Sequence, residues 1–502
     1  MIMKKIFKFG FIALLFSVAA CNDATDIVQE SELDPISAYK TVGHLQSGLN
    51  GVYAAYGPDF GSNGNGDAIF FNDLFTDNMK KGSASSGQGS SEYNFVLQPS
   101  NSTPESIWAN RYATINRVNR VLEAYNRIYD TFSDSDKADA DVIKGQLLAM
   151  RALCTLDLFE YFTPDYTNTA GPSVIKMDFV PELFVNDTFP RNTVGEIVAF
   201  MKDDISQAYE LLNGVTVQGN SMYYLNTNVI QAIEARLSLD TEDYARAEAL
   251  ATDLLTAFPL SDAATYAEMF AGVAAPTRGE TIFALKRTAN DNGIANNWYA
   301  NTVTRDGSPI LEASEQLLNL FDDGDVRKAV TFVPDDGPTG NGSDFDYPIN
   351  NGIILIGKYP GIPADALVND VKIFRASEMQ LILAEAQARR GDLAAAAASV
   401  QAIRAARGAS AGLSTYGSLG VALEDILLER RKEFAFEGHR YLDLKRLGGE
   451  LNIGVSRRSD DAATFSAPTD LPANDYRFTL PIPQSELNAN NLMVQNPGYD
   501  DN

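Results

Sequence analysis

Cysteine and histidine are nearly absent from this sequence. Its 502 residues include two cysteines, Cys21 and Cys154, and two histidines, His44 and His439. Two cysteines cannot form a disulfide framework, and two histidines so far apart match neither the ligand spacing of a zinc site nor a catalytic triad. Cys154 lies in an apolar helical stretch, which is typical of a small buried thiol. We therefore expect no cofactor and no metal site. Calcium at Asp322-Asp323-Gly324-Asp325 is the alternative, but this segment lacks the twelve-residue loop pattern and is more typical of a solvated acidic turn.

Long apolar runs and positive charge are also scarce. After residue 21 no apolar run approaches the roughly 20 residues that a membrane-spanning helix needs. Lysine and arginine number 40 against 66 aspartate and glutamate residues, which gives a net charge of -26. Because such a charge repels phosphate groups, nucleic acid is excluded as a partner. An apolar content of 45% nevertheless supports a substantial core.

The N-terminus has the layout of a cleaved export signal. Three lysines within the first eight residues precede an apolar stretch from Phe9 to Ala19, which leads into Val18-Ala19-Ala20-Cys21. Small residues before a cysteine suit a signal peptidase, and the thiol at the new N-terminus is the natural acceptor for a lipid. We predict a signal peptide over residues 1–20 and lipidation of Cys21. The polar residues 21–40 are then a flexible tether.

Amphipathic helices dominate the remaining pattern. Apolar residues recur at a spacing of three and four, and the segments tend to begin at Asp, Ser, Thr or Asn. The predicted helices cover residues 105–129, 141–162, 193–213, 227–239 and 243–257. The expected fold class is mainly α, with long loop-rich insertions and little β structure.

An internal repeat appears when residues 235–247 are laid over residues 384–396. In each copy a helix with small residues ends near a turn, and an aspartate, Asp243 or Asp392, caps a second helix. This pattern resembles tetratricopeptide-type helical hairpins. An ordinary helical hairpin that recurs by chance composition is the alternative.

A charged segment from Leu427 to Gly448 is the most specific motif. Helical spacing brings Arg430, Glu433 and Glu437 close together, so they predict a partly buried ion network. The alternative is a catalytic pair formed by the two glutamates, and we favour the structural interpretation because paired carboxylates also occur in scaffold networks.

This segment resembles the signature of the SusD/RagB family of outer-membrane nutrient-binding lipoproteins. The scaffold residues that carry the resemblance are Arg430, Glu433, Phe434, Glu437, Arg440 and Asp443. The endings Leu480-Pro481-Ile482-Pro483 and Gln495-Asn496-Pro497-Gly498-Tyr499 are similar to the family's C-terminus. Arg375-Ala376-Ser377-Glu378 resembles the start of its preceding helical pair.

The resemblance implies a tetratricopeptide-like scaffold with a looped binding face, placed as a lid over a SusC-like TonB-dependent transporter. Residues 41–260 would form an N-terminal helical region and residues 261–502 a C-terminal region. The latter would contain loop-rich binding insertions over 280–370 and scaffold helices over 372–447. Residues 22–26 resemble the acidic tag that routes lipoproteins to the cell surface in Bacteroidetes, so the expected location is the outer membrane, facing the exterior.

Two loop regions are candidates for ligand binding. Sugar capture needs an aromatic face flanked by side chains that bind hydroxyl groups. One loop offers Asn296, Asn297, Trp298, Tyr299 and Asn301, and an earlier region offers Asn72, Asp73, Asp77, Asn78 and Lys80. In the alternative interpretation Trp298 merely anchors its loop.

The expected function is binding and not catalysis. Gly408-Ala409-Ser410-Ala411-Gly412 fits a nucleophile pattern, but it follows a helix instead of a strand, so we interpret it as a helix-ending linker. We expect a surface lipoprotein that captures an oligosaccharide and delivers it to the transporter. A peptide-binding lid of the same transporter type is the nearest alternative, and a surface glycoside hydrolase or a structural assembly protein is a more distant one.

Overall fold

The structure is a computed structural model that describes residues 38–57, 67–82, 85–181, 188–288, 294, 309–333, 354–362, 368–463 and 467–499. The predicted signal peptide, Cys21 and most of the predicted tether lie outside these ranges. Among the described residues, no helix combines the length and the apolar content that crossing a bilayer would require.

Helices form most of the described chain. In chain order they are α1 Val42–Ala55, α2 Asp67–Leu74, α3 Ser90–Tyr93, α4 Ser102–Ile128, α5 Asp134–Phe162, α6 Val194–Leu212, α7 Thr227–Asp240, α8 Tyr244–Ala257, α9 Ala263–Met269, α10 Glu315–Leu318, α11 Val326–Thr331, α12 Ala376–Arg389, α13 Leu393–Arg407, α14 Leu419–Glu433, α15 Arg440–Asp443, α16 Gly449–Leu451, α17 Ser459–Ala463 and α18 Gln484–Ala489. The mainly helical fold class is confirmed.

The five predicted helices correspond to α4 through α8 and are confirmed, with one difference at the start of α5. This helix begins at Asp134, well before residue 141, and Ser133 caps it by accepting a hydrogen bond from the Asp136 amide. Its first turns are mostly exposed and acidic, so they carry no apolar periodicity for a sequence pattern to detect. Acidic side chains at a helix N-terminus are favourable because they complement the helix dipole.

The repeat consists of two stacked helical hairpins, α7–α8 and α12–α13. Asp243 accepts a hydrogen bond from the Arg246 amide at 3.2 Å, and Asp392 accepts one from the Ala395 amide at 2.9 Å. Both aspartates therefore cap the second helix of their hairpin, as predicted. Helix α8 packs against α12, so the hairpins share one continuous interface in the manner of tetratricopeptide repeats.

The described β structure is limited to short antiparallel ribbons of two strands each. The strands are β1 Met79–Lys81, β2 Thr281–Leu285, β3 Leu311–Ala313, β4 Val371–Arg375, β5 Val455–Ser456 and β6 Asp470–Leu471. They pair as β1–β3, β2–β4 and β5–β6. In the first ribbon Met79 lies opposite Ala313 and Lys81 opposite Leu311, so residues more than 200 positions apart in sequence become neighbours.

One hydrophobic core extends from Leu45 to Tyr499 and crosses the predicted boundary at residue 260. Cys154 is fully buried in it, which confirms the predicted small buried thiol, and burial raises the pKa of that thiol. A second apolar cluster lies between α12, α13, α14 and the residues next to α14, and it includes Val400, Ile426 and Phe434. Layered helices around a continuous core give the insertions a rigid support.

Candidate functional site

The predicted aromatic loop leaves and rejoins the body at two different ribbons. Trp298, Tyr299, Asn296, Asn297 and Asn301 lie outside the described residues, so their role in binding stays a prediction. The chain enters this loop from β2 and returns through Pro309 into β3. Its ends are therefore fixed by two separate pairs of strands.

The β1–β3 ribbon connects both predicted binding regions. Lys80 on β1 forms an ion pair with Glu312 on β3, with 3.3 Å between Nζ and Oε2. Glu312 Oε2 also accepts a hydrogen bond from the Ile354 amide at 3.0 Å. The Lys80 side chain is 17% exposed, so it lies at the edge of the body beside the returning loop. We call this ribbon, Met79–Lys81 with Leu311–Ala313, the loop face.

The other four early candidates lie in the interior. Asn72 donates to the Tyr161 hydroxyl at 2.6 Å and accepts from the Tyr441 amide at 3.1 Å. Asn78 donates to Asp73 Oδ1 at 2.7 Å. All are at most 3% exposed. This corrects the prediction that Asn72, Asp73, Asp77 and Asn78 face a ligand, because all four side chains are buried and, apart from one oxygen of Asp73, their polar atoms bind the scaffold.

Asp77 joins α2 to the signature segment through two arginines. Arg440 forms a bidentate pair with it at 2.9 Å, and Arg431 Nη1 lies 3.0 Å from its Oδ2. Burial alone would raise the pKa of Asp77, but Arg431 and Arg440 outweigh burial and hold the pKa at about 2. The carboxylate is therefore ionised and acts as a structural crosslink.

Asp73 has the opposite electrostatic environment. Its Oδ1 accepts hydrogen bonds from Asn78 and from the Phe436 amide, whereas its Oδ2 has no hydrogen-bond partner among the described residues. Burial raises the pKa of Asp73 to about 7 against these two hydrogen bonds. The pKa values of Asp73 and Asp77 thus differ because only Asp77 forms ion pairs with cationic side chains.

The signature glutamate Glu433 is the centre of a buried ion network. Its carboxylate lies 2.9 Å from Arg375 Nη1, 2.9 Å from Arg407 Nη2 and 3.1 Å from Arg327 Nη1. Glu280 lies 2.9 Å from Arg375 and 2.8 Å from Arg407, which closes the network. Burial opposes the charge of Glu433, yet Arg407, Arg375 and Arg327 hold its pKa well below the usual range.

The remaining signature residues extend this network. Glu437 pairs with Arg375 at 2.9 Å and with Lys358 at 2.5 Å, and Arg430 pairs with Asp443 at 2.7 Å. Two guanidinium groups contact the ring of Phe434, that of Arg375 at 5.1 Å and that of Arg430 at 5.2 Å from the ring centre. The network is thus fully buried rather than partly buried, and its glutamates pair with arginines from other elements.

The two signature glutamates have the wrong properties for a catalytic pair. A glycosidase needs one protonated carboxylic acid with a raised pKa and access to a substrate. Burial works against the charge of Glu437, but Arg375 and Lys358 lower its pKa, as the arginines do for Glu433. Both side chains are enclosed. They are ionised scaffold residues, which agrees with the structural interpretation of the motif.

Sequence reasoning did not identify Arg327, Arg407, Glu280 or Lys358 as members of the network. Arg327, Arg407 and Glu280 come from α11, from the end of α13 and from the start of the β2 segment. Glu280 and Glu433 meet the same two arginines although 153 positions separate them (433 minus 280). Of the three arginines that pair with Glu433, only Arg375 carried a signal, as part of the resemblance to the family.

An interior cavity of about 70 Å³ lies between α4, α5, α7, α12 and the signature segment. Four buried atoms that line it have no hydrogen-bond partner among the described residues: Arg111 Nη2, Asp240 Oδ2, Arg430 Nη1 and Asp443 Oδ2. The cavity is well below the ~300 Å³ at which ligand pockets begin. It suits a few water molecules, each of which needs ~10–15 Å³, and not a nutrient.

The nucleophile-like sequence at residues 408–412 ends a helix, as predicted. Gly408 adopts a left-handed conformation with φ 70° at the C-terminus of α13. The Ser410 amide donates to Asp322 Oδ2 at 2.8 Å. The neighbouring acidic residues are also occupied, since Asp325 caps α11 and Asp323 pairs with Lys328 at 2.7 Å. This region is a linker between helices.

Comparison with known proteins places this architecture in a family. Residues 104–499 match the model of the SusD family. SusD-like protein P2 from Formosa agariphila is 25% identical over 539 residues, which cover 99% of this chain and all of that protein.

Solved structures agree in fold. A SusD superfamily protein from Bacteroides thetaiotaomicron is 26% identical, with a TM-score of 0.73 over 91% of this chain and 100% of its own. A laminarin binding SusD-like protein is 21% identical, with a TM-score of 0.69 over 92% of this chain and 100% of its own. A SusD-like carbohydrate binding protein from Bacteroides vulgatus is 21% identical, with a TM-score of 0.72 over 91% and 98%. Because the family match covers most of the sequence, including the buried network around Glu433, this chain belongs to the SusD family.

Proposed function

We propose that this protein is a surface-exposed lipoprotein that binds oligosaccharides and delivers them to a SusC-like TonB-dependent transporter. The observation that carries the proposal is the family match over residues 104–499. Two proteins of the same fold are described as binding laminarin and carbohydrate. The loop around Trp298 supplies the aromatic and amide groups that sugar recognition needs.

The proposed binding site consists of the loop face and the loop around Trp298. The β1–β3 ribbon holds Lys80 at the edge of the body, next to the return of the aromatic loop. A rigid scaffold that carries variable loops lets the loops determine specificity while the buried network preserves the fold. Glycan binding then requires no catalytic group.

Isothermal titration with a panel of soluble oligosaccharides tests the proposal. We expect binding by the wild type and about tenfold weaker binding by Trp298→Ala, since loss of an aromatic contact worth about 1.4 kcal/mol weakens binding tenfold. Tyr209→Ala is the matched control, because Tyr209 is 37% exposed on α6, outside the loop face. Binding that Trp298→Ala leaves unchanged would remove Trp298 from the site.

The alternatives have separate readouts. A peptide-binding lid predicts that peptides copurify with the protein and appear in its mass spectrum. A glycoside hydrolase predicts product release from a labelled polysaccharide by the purified protein. The ionised and enclosed Glu433 and Glu437 do not support hydrolysis.

The lipid anchor and the transporter are tested in cells. Metabolic labelling with a fatty acid should mark the wild type and not Cys21→Ser. Affinity purification of the lipidated protein from outer membranes should recover a large β-barrel partner. Protease added to intact cells should digest the protein if it faces the exterior.

A further inference from the structure

The proposed function assigns no role to a basic groove between α1 and α4. Its volume is about 390 Å³, which is comparable to that of a ligand pocket. It is lined by residues that include Tyr39, Gly48, Gly51, Arg117, Arg120 and Val121. We call it the α1–α4 groove. Most of the residues that line it are exposed or half-buried, so it faces solvent.

Two arginines in the groove lack acidic partners among the described residues. Arg117 Nη1 donates to the Gly51 carbonyl at 3.3 Å, and Arg120 Nε donates to Asn116 at 2.9 Å. Both side chains are exposed. The chain has 66 acidic residues and only 40 basic ones. Arg117 and Arg120 are therefore a local concentration of positive charge in an acidic protein, and a further acidic group could neutralise it.

The shape of the groove depends on glycine. A Cβ atom added at Gly48 would lie 2.7 Å from Val121 Cγ2 and 2.9 Å from Tyr39 Cε1, so glycine allows α1 to approach α4 there. Gly51, one turn later, has no atom within 4 Å of such a Cβ atom. The missing side chain leaves open space beside Arg117. That space can accept an extended chain.

The chain that precedes the groove has the complementary charge. Residues 22–37 contain five acidic residues and no basic one. Glu30, Glu32 and Asp34 alternate along this segment, so in an extended conformation they share one face at intervals of about 6.7 Å. Arg117 and Arg120 stand three positions apart on a helix, where side chains are about 5–6 Å apart. Pro35 favours extended backbone at the preceding residue.

The segment also enters at the right place. Ala38 and Tyr39 line the α1–α4 groove themselves, so the segment that precedes them is joined to the body at the groove. From there, seven extended residues reach about 23 Å, which matches the length of α1, about 21 Å. A segment tethered this closely has an effective concentration on the order of millimolar. Weak surface ion pairs are then sufficient for docking.

We propose that the acidic segment before Ser37 docks in the α1–α4 groove of its own chain, with Glu30, Glu32 and Asp34 facing Arg117 and Arg120. The second half of the predicted tether is then bound to the body in the groove instead of being flexible. With the lipid proposed at Cys21, docking would determine which face of the body is turned toward the membrane. The docking itself needs neither lipid nor nutrient.

Distance measurement between two spin labels tests the proposal in the full chain carrying Cys21→Ser. Labels at Ser31→Cys and Ala54→Cys report on the segment and on the exposed end of α1, while the native Cys154 is fully buried. We expect a narrow distance distribution. Arg117→Glu with Arg120→Glu should widen it about twofold or more, toward the spread of a free chain. Adding 1 M salt should have the same effect.

Two further variants separate charge pairing from other causes. Glu30→Arg with Glu32→Arg, added to the arginine variants, should restore the narrow distribution. Lys137→Glu with Lys202→Glu changes the net charge equally on α5 and α6 and should leave the distribution narrow. A broad distribution in the wild type, or one that the arginine variants leave narrow, would overturn the proposal. If the distance distribution narrows only as the protein concentration rises, the segment docks in the groove of a second copy of the chain, which would also overturn the proposal.

Discussion

The buried network around Glu433 and the ion pairs on the outer surface of the repeat hairpins use the same residue types in different ways. In the network the side chains of Glu433 and Arg407 are fully enclosed, and that of Arg375 is 2% exposed. On the surface Arg390 pairs with Glu248 at 2.5 Å, with side chains 52% and 31% exposed. Similar distances therefore occur in very different dielectric surroundings.

The difference explains why the strongest sequence motif is structural. A buried carboxylate must be paired, so each charged residue in the network requires its partners to be retained. A surface pair is solvated with or without its partner and contributes little. The segment from Glu429 to Arg446 is thus recognisable because burial constrains it. Ligand contact at the loop face imposes no comparable constraint on the motif.

Replacing one arginine in each region should separate them most strongly. Arg375→Met leaves Glu433, Glu437 and Glu280 with unbalanced buried charge, so we expect the free energy of unfolding to fall by about 3–5 kcal/mol. Arg390→Met, the matched surface change, should cost at most about 1 kcal/mol. Urea denaturation measures both. Equal losses would mean that burial does not distinguish the two kinds of pair.

The pH dependence of stability should distinguish two buried aspartates within the scaffold. The native pKa of Asp73 is about 7, above an unfolded value of about 3.9. The native state therefore holds this proton more tightly, and stability falls as the pH rises from about 4 to 7. We expect Asp73→Asn to remove about 2–3 kcal/mol of the decline between pH 5 and pH 8.

Asp77→Asn is the control for that measurement. The native pKa of Asp77 is about 2, below the unfolded value, so its stabilising effect is complete above about pH 4 and is lost only as the pH falls toward 2. Between pH 5 and pH 8 this variant should be less stable than the wild type by a constant amount. Unfolding curves at several pH values test both variants. Parallel pH profiles for wild type and Asp73→Asn would contradict the assignment.

The smallest effect is expected at the helix caps of the exposed repeat. Asp243→Ala and Asp392→Ala each remove a side chain that accepts an N-terminal amide hydrogen bond. Each should lower the free energy of unfolding by about 1 kcal/mol. Asp253→Ala, on the exposed face of α8, should change it by less than about 0.5 kcal/mol. Unequal losses at the two caps would show that the hairpins are not equivalent.

Much of the scaffold could be predicted from local pattern. The helices α4 and α6 through α8 match their predicted ranges because apolar residues and caps recur at helical spacing. The start of α5 could not be predicted, since its exposed acidic turns carry no such pattern. The aspartate caps were identified because a cap is a contact between neighbours in sequence.

The candidate site was harder to predict. Asn72 and Asp77 carry the polar groups that sugar recognition needs, which makes them candidates by residue type, whereas tertiary contacts with Tyr441 and Arg440 place them in the interior. Lys80, close by on β1, does lie at the edge of the body. Residue type alone does not distinguish a buried crosslink from a binding group, since both need hydrogen-bonding atoms.

The sequence by itself determined the helical class, the repeated hairpins and the family resemblance, because these depend on periodicity, capping and a motif within one stretch of chain. Only the tertiary structure decided which charges meet. Glu433 forms ion pairs with Arg327, Arg375 and Arg407 from three other elements, and Lys80 pairs with Glu312 across a ribbon. Partners at such separations leave no local pattern, since pairing depends on distances that exist only after the chain has folded.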